Sequence, residues 1–543
     1  MATFVFLIVS IVLIAGALFS ELRRDLMILQ QNSYRNERYT RWLQQSGDNT
    51  SYVRLSALII FFIGLANLHL NALAAPLVSL LSIYVMYRNI TAKHKKPLVM
   101  TPRATRILFW SSMLAIAVTA AVTAGISNWL GTDPAYAALM TLLACYCASH
   151  MLILAANFSL KPVEKRINKH FYDAAAARLQ SMPDTTIIGI TGSYGKTSTK
   201  HYLYRILSEK YDVCMTPGSY NTTLGVVRTI NEHLRPFHSI FIVEMGAKQR
   251  GDIKEICDLV HPVIGIVTAV GPQHLESFGT IDNVADTKFE LVDSLPAAGS
   301  IAVVNNDFEK IRDRQVAGPA QVLRYGVASD DKACQYRATD IKYSSRGTSF
   351  TIVGPDGFEL PLTTRLVGEC NISNLIAAVI VAIKLDVPAD KIKYAVAHIE
   401  QVEHRLNMKT TPGGLTIIDD AFNSNPVGSR MALDVLSMMR DGRRIVITPG
   451  MIELGDKQHE LNREFGRHIA VTADIAMIVG QYNRGDITDG IRDIIDNPEV
   501  TDKISSDNVL TFDTFALAQH HLTTIARAGD TVLYENDLPD TFK

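Results

Sequence analysis

The chain has 543 residues, a length that suggests about three or four domains. Its 53 basic and 54 acidic residues nearly cancel, which argues against nucleic acid as a partner, because proteins that follow a phosphate backbone usually carry a basic excess. The six cysteines are scattered, without a C-x-x-C pair, and this usage is typical of a reducing compartment.

Three uncharged apolar stretches near the N-terminus are long enough to cross a bilayer, since a transmembrane helix needs about 20 residues. They cover residues 3–20, 107–130 and 135–160. The first could also be a cleaved signal peptide. It lacks a basic start and is followed by arginines, however, so a retained anchor is the better interpretation.

A fourth apolar stretch, residues 55–87, has a polar break in its middle. One tilted helix would place the basic segments on its two sides, 21–54 and 88–106, on opposite faces of the membrane, against the positive-inside rule. Two short helices over 55–70 and 72–87 keep both basic segments inside, so we predict a hairpin.

These stretches together predict a membrane region over residues 1–169 with about five spans. All Lys and Arg of this region lie in the two basic segments above and in 161–169. With these segments inside, the N-terminus is outside and everything after residue 160 lies in the cytoplasm, where ATP is available. We therefore expect a multi-pass protein of the cell (inner or plasma) membrane, with lipid as one partner and cytoplasmic catalytic domains.

The stretch GITGSYGKTSTK, residues 189–200, joins a β-branched run to a polar helix. It differs from the Walker pattern G-x-x-x-x-G-K-[ST], because Ile190 stands where the first glycine is expected and Gly192 shortens the loop. Strand, glycine loop and helix is still the context of a phosphate site, since loop amides and the helix N-terminus point at the anion. We predict that Lys196 and Thr197 bind the phosphates of a nucleotide and its metal.

Two further residues come at the C-terminal ends of apolar runs, a position that suggests the carboxyl edge of a parallel sheet, where ligands bind. Glu244 lies towards the end of SIFIVEMGA, and His274 follows VIGIVTAV. A third residue, Lys288, lies in NVADTKFEL. Taken alone, the histidine is more often structural and the lysine more often a surface residue of a helix.

A series of ordered motifs over residues 185–535 resembles the Mur ligase family, the ATP-dependent amide-forming enzymes of cell-wall (peptidoglycan) precursor synthesis, and most closely its D-alanyl-D-alanine-adding branch. The motifs are TGSYGKTS, N-T-T-L-G at 221–225, EMGA, the histidine of GPQHLESFG, ADTKFE, GECNISN at 368–374, EHR at 403–405, DDAFNSNP at 419–426, and GMIELGDKQHELNREFG at 450–466.

The resemblance implies an ATP and Mg²⁺ site. Its phosphate loop would consist of Gly192, Ser193, Gly195, Lys196, Thr197 and Ser198. Thr197 and Glu244 would hold one Mg²⁺, while His274 and Lys288 would serve a second. An ammonium beside two metal ions would be repelled, so the resemblance implies that Lys288 is carbamylated, which converts it into an anion with two oxygen donors. Lys196, His274 and Lys288 are the predicted catalytic residues.

The remaining nucleotide contacts are also implied by the resemblance. Asn371 and Asn374 would face the adenine edge, Arg405 the γ-phosphate and Asp420 the ribose. Cys370 stands where the family usually has a histidine. The plain alternatives are a surface salt bridge for Arg405 and an ordinary Asn/Asp/Pro turn for the segment around Asp420.

The predicted fold is α/β: helical membrane spans, then a central P-loop ATPase domain over 170–402 with a mostly parallel sheet, then a Rossmann-like domain over 403–543. The predicted reaction activates a carboxylate as an acyl phosphate, which an amino acid or dipeptide amine then converts into an amide. The carboxylate-bearing cell-wall precursor could be a soluble nucleotide or lipid-linked, because membrane helices stand where the family has its uridine-binding domain. A transport ATPase and an inactive cell-wall scaffold are the alternatives.

Overall fold

The structure is a computed structural model that describes most of the chain in two compact units, which divide between Asn168 and Lys169. The described residues are 2–66, 71–92, 96–296, 298–316, 320–327, 333–344, 347–402, 405–421 and 424–536. Parts of three predicted features, the end of the 55–70 span, the EHR motif and the DDAFNSNP motif, lie outside these ranges.

The first unit is helical, as its apolar composition predicts. Its helices are α1 Ala2–Gln31, α2 Asn36–Ser46, α3 Tyr52–Ala66, α4 Asn71–Thr91, α5 Pro102–Leu130, α6 Pro134–Cys147 and α7 Ser149–Gln180, the last of which extends beyond Asn168.

Two of these helices, over Phe4–Gln31 and Pro102–Trp129, are long and apolar enough to cross a membrane. The pair α6 and α7 would add a third span if counted together. Helix α3 has 15 residues and spans about 22 Å at 1.5 Å per residue, shorter than a ~30 Å hydrocarbon core. Two helices, α3 and α4, thus occupy the segment of the predicted hairpin, and the count of five spans stays a prediction.

The predicted span over 135–160 consists of two helices, since α6 and α7 bend by 74° at Ala148. A side chain distant in sequence lies at this bend. The Arg54 guanidinium donates to the carbonyls of Tyr146 and Cys147, both at 3.3 Å, and lies 3.2 Å from the Ser149 hydroxyl. Since the last carbonyls of α6 are satisfied by this arginine, the helix can end inside an apolar segment without leaving its backbone unpaired.

Arg54 belongs to a buried cluster of charges, which we call the arginine cluster. Its nitrogen Nη2 lies 3.1 Å from Glu21 and 3.7 Å from Asp25, and both carboxylates are fully buried. The Ser149 hydroxyl donates to Asp25, which joins α7 to α1. The other ion-pair partners in this cluster are Arg24, Asp48, Arg88 and His150.

The described residues of the second unit form two sheets. The first has nine strands in the order β2-β3-β1-β4-β5-β6-β7-β8-β9, parallel from β2 through β7 and antiparallel at β8 and β9. We call residues 186–399 the nine-stranded domain. Its strands are β1 Thr186–Thr191, β2 Val213–Met215, β3 Ile240–Glu244, β4 Ile264–Val267, β5 Ile301–Asn305, β6 Gln321–Gly326, β7 Tyr336–Ser344, β8 Gly347–Val353 and β9 Glu359–Thr364.

Helices cover both faces of this sheet, because alternate strand residues are apolar on each side. Ile240 and Ile242 of β3 pack into one core, and Phe241 and Val243 into the other. The helices are α8 Lys196–Leu207, α9 Thr223–Glu232, α10 Asp252–Val260, α11 Leu275–Phe278, α12 Ile281–Asp293, α13 Glu309–Arg312, α14 Glu369–Lys384 and α15 Ala389–Ala397.

The second sheet has six strands in the order β10-β11-β15-β12-β13-β14, parallel except for β10. We call residues 405–536 the six-stranded domain. Its elements are β10 Asn407–Thr410, β11 Thr416–Asp420, α16 Pro426–Ser437, β12 Arg444–Thr448, α17 Gln458–Thr472, β13 Ile475–Val479, α18 Arg484–Ile495, β14 Val509–Phe512, α19 Phe515–Ile525 and β15 Thr531–Glu535. The predicted α/β class, with a mostly parallel central sheet, is confirmed.

Arg54→Ala should destabilise the first unit strongly. The substitution leaves the buried carboxylates of Glu21 and Asp25 with one cation fewer, and breaking such a buried pair costs about 3–5 kcal/mol. We expect a clear fall in the thermal unfolding midpoint of the detergent-solubilised protein. Arg23→Ala is the matched control, since Arg23 is exposed. Equal midpoints for the two variants would contradict this account of the arginine cluster.

Candidate functional site

The carboxyl ends of β3, β1, β4 and β5 lie side by side, and the predicted phosphate loop leaves the sheet there. Ile190 pairs with Glu244 in register, and Thr191 pairs with Val267. The loop follows β1 directly, and α8 begins at Lys196. The sheet therefore brings the predicted phosphate loop and the predicted metal carboxylate to one edge, as expected for a ligand site of a parallel sheet.

Both loop glycines are required by the backbone. Gly192 has φ +148° and Gly195 has φ +77°, regions that side chains rarely adopt. A Cβ at Gly192 would lie 2.1 Å from the Thr268 hydroxyl, and one at Gly195 would lie 2.3 Å from Asn374 Oδ1. The short loop is thus packed between Thr268, which follows β4, and Asn374 of α14. These contacts explain how the loop keeps its shape with fewer residues than the Walker pattern.

Lys196 is partly buried beside this loop. Its ammonium donates to the carbonyls of Gly192 at 2.6 Å and Ser193 at 3.3 Å. Burial lowers the pKa of Lys196 to about 8, against the opposing charge of Glu244. Two neutral carbonyls are weak partners for an ammonium, so an anionic phosphate can recruit this side chain readily.

Glu244 is the centre of the site, with only 1% of its surface exposed. Oε1 accepts from the Thr197 hydroxyl at 3.2 Å and from the Asn221 amide at 3.0 Å. Oε2 lies 3.0 Å from Lys200 Nζ. Burial alone would raise the pKa of Glu244, but the charges of Lys200 and Lys196 outweigh it, and the net pKa is lowered. The carboxylate is therefore ionised.

Lys200 was missed by the sequence analysis. It is fully buried and donates to the Gly218 carbonyl at 2.5 Å as well as pairing with Glu244. A signal was present: Lys200 lies four residues after Lys196, so both project from the same face of α8. Burial lowers the pKa of Lys200.

A cavity of about 170 Å³ lies between this sheet edge and the six-stranded domain. It contains most of the predicted nucleotide residues, and three predicted residues, Gly192, His274 and Lys288, are not in its lining. The predicted residues that line it are Ser193, Gly195, Lys196, Thr197, Ser198, Glu244, Asn371, Asn374, Arg405 and Asp420.

Asn371 and Asn374 are buried on α14, and both amides have protein partners. The Tyr202 hydroxyl donates to Asn371 Oδ1 at 2.7 Å, and the Thr199 hydroxyl donates to Asn374 Oδ1 at 3.1 Å. Asn374 lies against the phosphate loop, so it also fixes Gly195. The contact of these amides with adenine stays a prediction.

Arg405 and Asp420 reach the cavity from the six-stranded domain. Asp420 ends β11 and accepts from the Leu406 amide at 3.1 Å. Burial raises the pKa of Asp420 to about 6, although the charge of Arg405 opposes the shift. Burial also lowers the pKa of Arg405. Both residues thus line the cavity from the six-stranded domain, whereas the predicted phosphate loop lines it from the nine-stranded domain.

Glu535 was a second residue that the sequence analysis missed. It is fully buried at the end of β15 and pairs in register with Asp420, and it accepts a hydrogen bond from Ser424. Burial, followed by the charge of Asp420, raises the pKa of Glu535 well above its ordinary value. The only sequence signal is an acidic residue that ends the apolar run TVLYE.

His274 precedes α11 with φ +52°, and its Nδ1 is hydrogen-bonded to Glu453 of the six-stranded domain. Burial lowers the pKa of His274, although Glu453 opposes this. Lys288 is buried on α12, with Nζ 5.9 Å from the Phe278 ring centre. Burial, followed by the charge of Lys196, lowers the pKa of Lys288 to about 7.

The two predicted sets of metal ligands differ in how well they fit Mg²⁺. The Thr197 hydroxyl and the ionised Glu244 carboxylate offer hard oxygen donors within hydrogen-bond distance of each other. His274 and Lys288 fit a second Mg²⁺ only if the lysine is converted to an anion, because an ammonium group has no lone pair to donate. Burial and the lowered pKa of Lys288 favour the neutral amine that such a conversion requires.

Comparison with known families gives two matches. Residues 190–382 match the Mur ligase middle domain, and residues 404–534 match the Mur ligase, glutamate ligase domain. Among curated proteins, the UDP-N-acetylmuramoyl-tripeptide–D-alanyl-D-alanine ligase of Escherichia coli K12 is 31% identical over 317 residues, 58% of this chain and 68% of that protein. The Bacillus subtilis enzyme of the same name is 28% identical over 298 residues, 54% of this chain and 62% of that protein. The match thus spans less than two thirds of the Bacillus protein.

Solved structures of Mur ligases also superpose on this chain. A crystal structure of MurF from Acinetobacter baumannii superposes with a TM-score of 0.60 at 25% identity, covering 68% of this chain and 77% of that one. MurF ligase from Thermotoga maritima in complex with ADP superposes with a TM-score of 0.57 at 25% identity, covering 68% and 80%.

Proposed function

This chain belongs to the Mur ligase family, and from that premise we propose that it is a membrane-anchored, ATP-dependent ligase of cell-wall precursor synthesis that joins a carboxylate to an amino acid or dipeptide amine. One observation carries the proposal: a single cavity holds the phosphate loop with Lys196 and Glu244 on one side and Arg405 with Asp420 on the other. ATP between the two domains accounts for both sides at once.

The reaction has two steps. A carboxylate oxygen of the precursor attacks the γ-phosphorus of ATP, which gives an acyl phosphate and ADP. The amine then attacks the acyl carbon, which gives an amide and inorganic phosphate. This chemistry requires no covalent nucleophile from the protein. Positioning of the substrates and electrostatic stabilisation of the transition state therefore account for the rate enhancement.

The residues of the cavity have distinct roles in these steps. Lys196 moves from its carbonyl partners to the β/γ-phosphates, and Arg405 approaches the γ-phosphate from the six-stranded domain. Lys200 holds the Glu244 carboxylate in place. Asn371 and Asn374 contact the adenine base of ATP. Closure of the two domains excludes water from the labile acyl phosphate.

Mg²⁺ at Thr197 and Glu244 would supply positive charge against the phosphate oxygens. For the second set, we propose that Lys288 is carbamylated. Its neutral amine forms an N–C bond with CO₂ and releases one proton, so the side chain ends as a carbamate anion with two oxygen donors. Its burial protects that group from bulk water.

The names of the relatives suggest the substrates. The Escherichia and Bacillus proteins are named for a UDP-linked muramoyl tripeptide and D-alanyl-D-alanine, and we propose a related carboxylate and amine here. The matched family domains begin at residue 190, and apolar helices that can cross a membrane precede them. We therefore consider two candidate carboxylate substrates, a soluble UDP-linked one and a lipid-linked one.

The first prediction is that full-length protein hydrolyses ATP only when a carboxylate precursor and an amine are both present. Lys196→Ala should lower this turnover about a hundredfold to a thousandfold, because it removes a cation from the transferring phosphate. Lys393→Ala, on an exposed lysine of α15, is the control. Turnover without cosubstrates would favour a transport ATPase, and no turnover with any precursor would favour a scaffold. Offering UDP-linked and lipid-linked precursors separately decides the carrier.

The second prediction concerns the carbamate. Lys288→Ala should lower the ligation rate on the order of a thousandfold, about 4 kcal/mol at 1.36 kcal/mol per decade, and added acetate or chloride should restore part of it. Lys288→Arg should be equally slow without rescue, because guanidinium cannot capture CO₂. The measurement is the initial rate of ligation by each variant with and without added acetate or chloride. An Arg variant as active as the parent would exclude the carbamate.

The third prediction is topological. We propose that the five predicted spans, over residues 3–20, 55–70, 72–87, 107–130 and 135–160, cross the cell membrane with residues 131–133 outside and Arg38 inside. In a cysteine-free version of the protein, an impermeant thiol reagent should label a cysteine introduced at Thr132 in intact cells, and a cysteine at Arg38 only after lysis. Labelling of the Arg38 site in intact cells would overturn this orientation and the cytoplasmic placement of the catalytic domains.

A further inference from the structure

The loop between β12 and α17, residues 449–457, is the part of the six-stranded domain that approaches α11. A Cβ at Gly455 would lie 3.3 Å from the amide nitrogen of Glu276, and this amide donates to the Glu453 carbonyl at 3.4 Å. Among the described residues, none of this loop lines the ATP cavity. Its contact with the nine-stranded domain therefore serves something other than direct nucleotide binding.

The loop is held rigidly by side chains of its own domain. The Asn483 amide donates to the carbonyls of Pro449 and Met451, both at 3.0 Å, and the Met451 amide donates to Asn462 Oδ1 at 2.9 Å. Met451 is buried. Glu453 follows with φ +62°, a conformation that a glutamate keeps only where its surroundings impose it. The loop thus fixes the direction in which Glu453 points.

Glu453 points at His274. Its Oε2 is hydrogen-bonded to His274 Nδ1, and its Oε1 lies 3.9 Å from Lys248 Nζ in the loop after β3. A carboxylate only accepts, so Nδ1 must carry the hydrogen, and the lone pair of the neutral ring is then on Nε2. In protein metal sites, a ligating histidine almost always donates its other ring N–H to such an acceptor.

We propose that Glu453 is a positioning residue for His274: it holds the imidazole in the tautomer and orientation that leave Nε2 free to bind a divalent cation. The inference rests on the proposed function, because it takes His274 to face the metal side of the ATP site. Glu453 acts through His274 and does not itself touch the substrate.

Because Glu453 and His274 belong to different domains, this hydrogen bond exists only while the loop 449–457 lies against α11. The tautomer and the orientation of the His274 imidazole therefore depend on the position of the six-stranded domain. With the domains closed around ATP, His274 would be held in the orientation that binds a metal, and this orientation would be lost when the domains separate to release the products.

The test is a titration of the full-length protein with Mn²⁺ in the presence of a non-hydrolysable ATP analogue, with free Mn²⁺ measured by electron paramagnetic resonance. Glu453→Gln should weaken one Mn²⁺ site about tenfold to a hundredfold, the range seen for outer-shell partners of metal ligands. His274→Asn should weaken the same site at least as much. Glu453→Gln added to His274→Asn should have no further effect, because Glu453 acts through the ring.

Glu460→Gln is the matched control, since it removes the same charge from an exposed position on α17 and should leave Mn²⁺ affinity unchanged. Unchanged affinity in Glu453→Gln would overturn the proposal. So would an equal loss in the His274→Asn background, because Glu453 would then act independently of the ring. A purely structural latch predicts a lower unfolding midpoint with parental Mn²⁺ affinity, which also contradicts it.

The Mg²⁺ dependence of ligation provides a second readout. Glu453→Gln should raise the Mg²⁺ concentration for half-maximal rate about tenfold, with a smaller effect on kcat at saturating Mg²⁺. The two proposals can fail separately: a parent protein without cosubstrate-dependent turnover contradicts the ligase function, whereas an active parent with identical Mn²⁺ binding in Glu453→Gln contradicts only the role of Glu453.

Discussion

The fully enclosed carboxylate of Glu244 is the constraint on which the proposed nucleotide site depends. A buried charge is tolerated only when it is paired and hydrogen-bonded. Here β3 supplies the carboxylate, α8 supplies Thr197 and Lys200, and the loop before α9 supplies Asn221. The phosphate loop must therefore be short enough to bring the start of α8 over the end of β3, and the tight spacing between Gly192 and Gly195 achieves this.

From the same constraint we expect the proposed site to attract anions. Two ammonium groups, those of Lys196 and Lys200, share the single carboxylate of Glu244, and Lys196 is bonded to neutral carbonyls. This local excess of positive charge lies beside the loop amides and the N-terminus of α8, which favour an anion as well. We therefore expect a bound polyphosphate, which would neutralise these ammonium groups, to stabilise the contact between the two domains.

The sequence was informative where the structure is local. The glycine loop, the strand end at Glu244 and the α/β class all follow from short stretches whose pattern determines their structure. Lys200 was predictable from its spacing on α8 but was overlooked. Glu453 was not predictable, because its partner His274 lies 179 residues away in the other domain. The break at Ala148 depends in the same way on Arg54, 92 residues from Tyr146.

Charge balance distinguishes the arginine cluster from the nucleotide site. Asp25, Asp48 and His150 offer ligand atoms within 4.8 Å of one another, a spacing compatible with a metal ion. Both of these carboxylates, however, already lie within ion-pair distance of Arg24 and Arg54, so a dication would add positive charge to a set that is already compensated. In a closed, balanced set of buried charges each partner is needed by the others, because removing one leaves an uncompensated buried charge. A set with an unbalanced charge at the edge of a cavity, as around Glu244, is a site that a ligand completes.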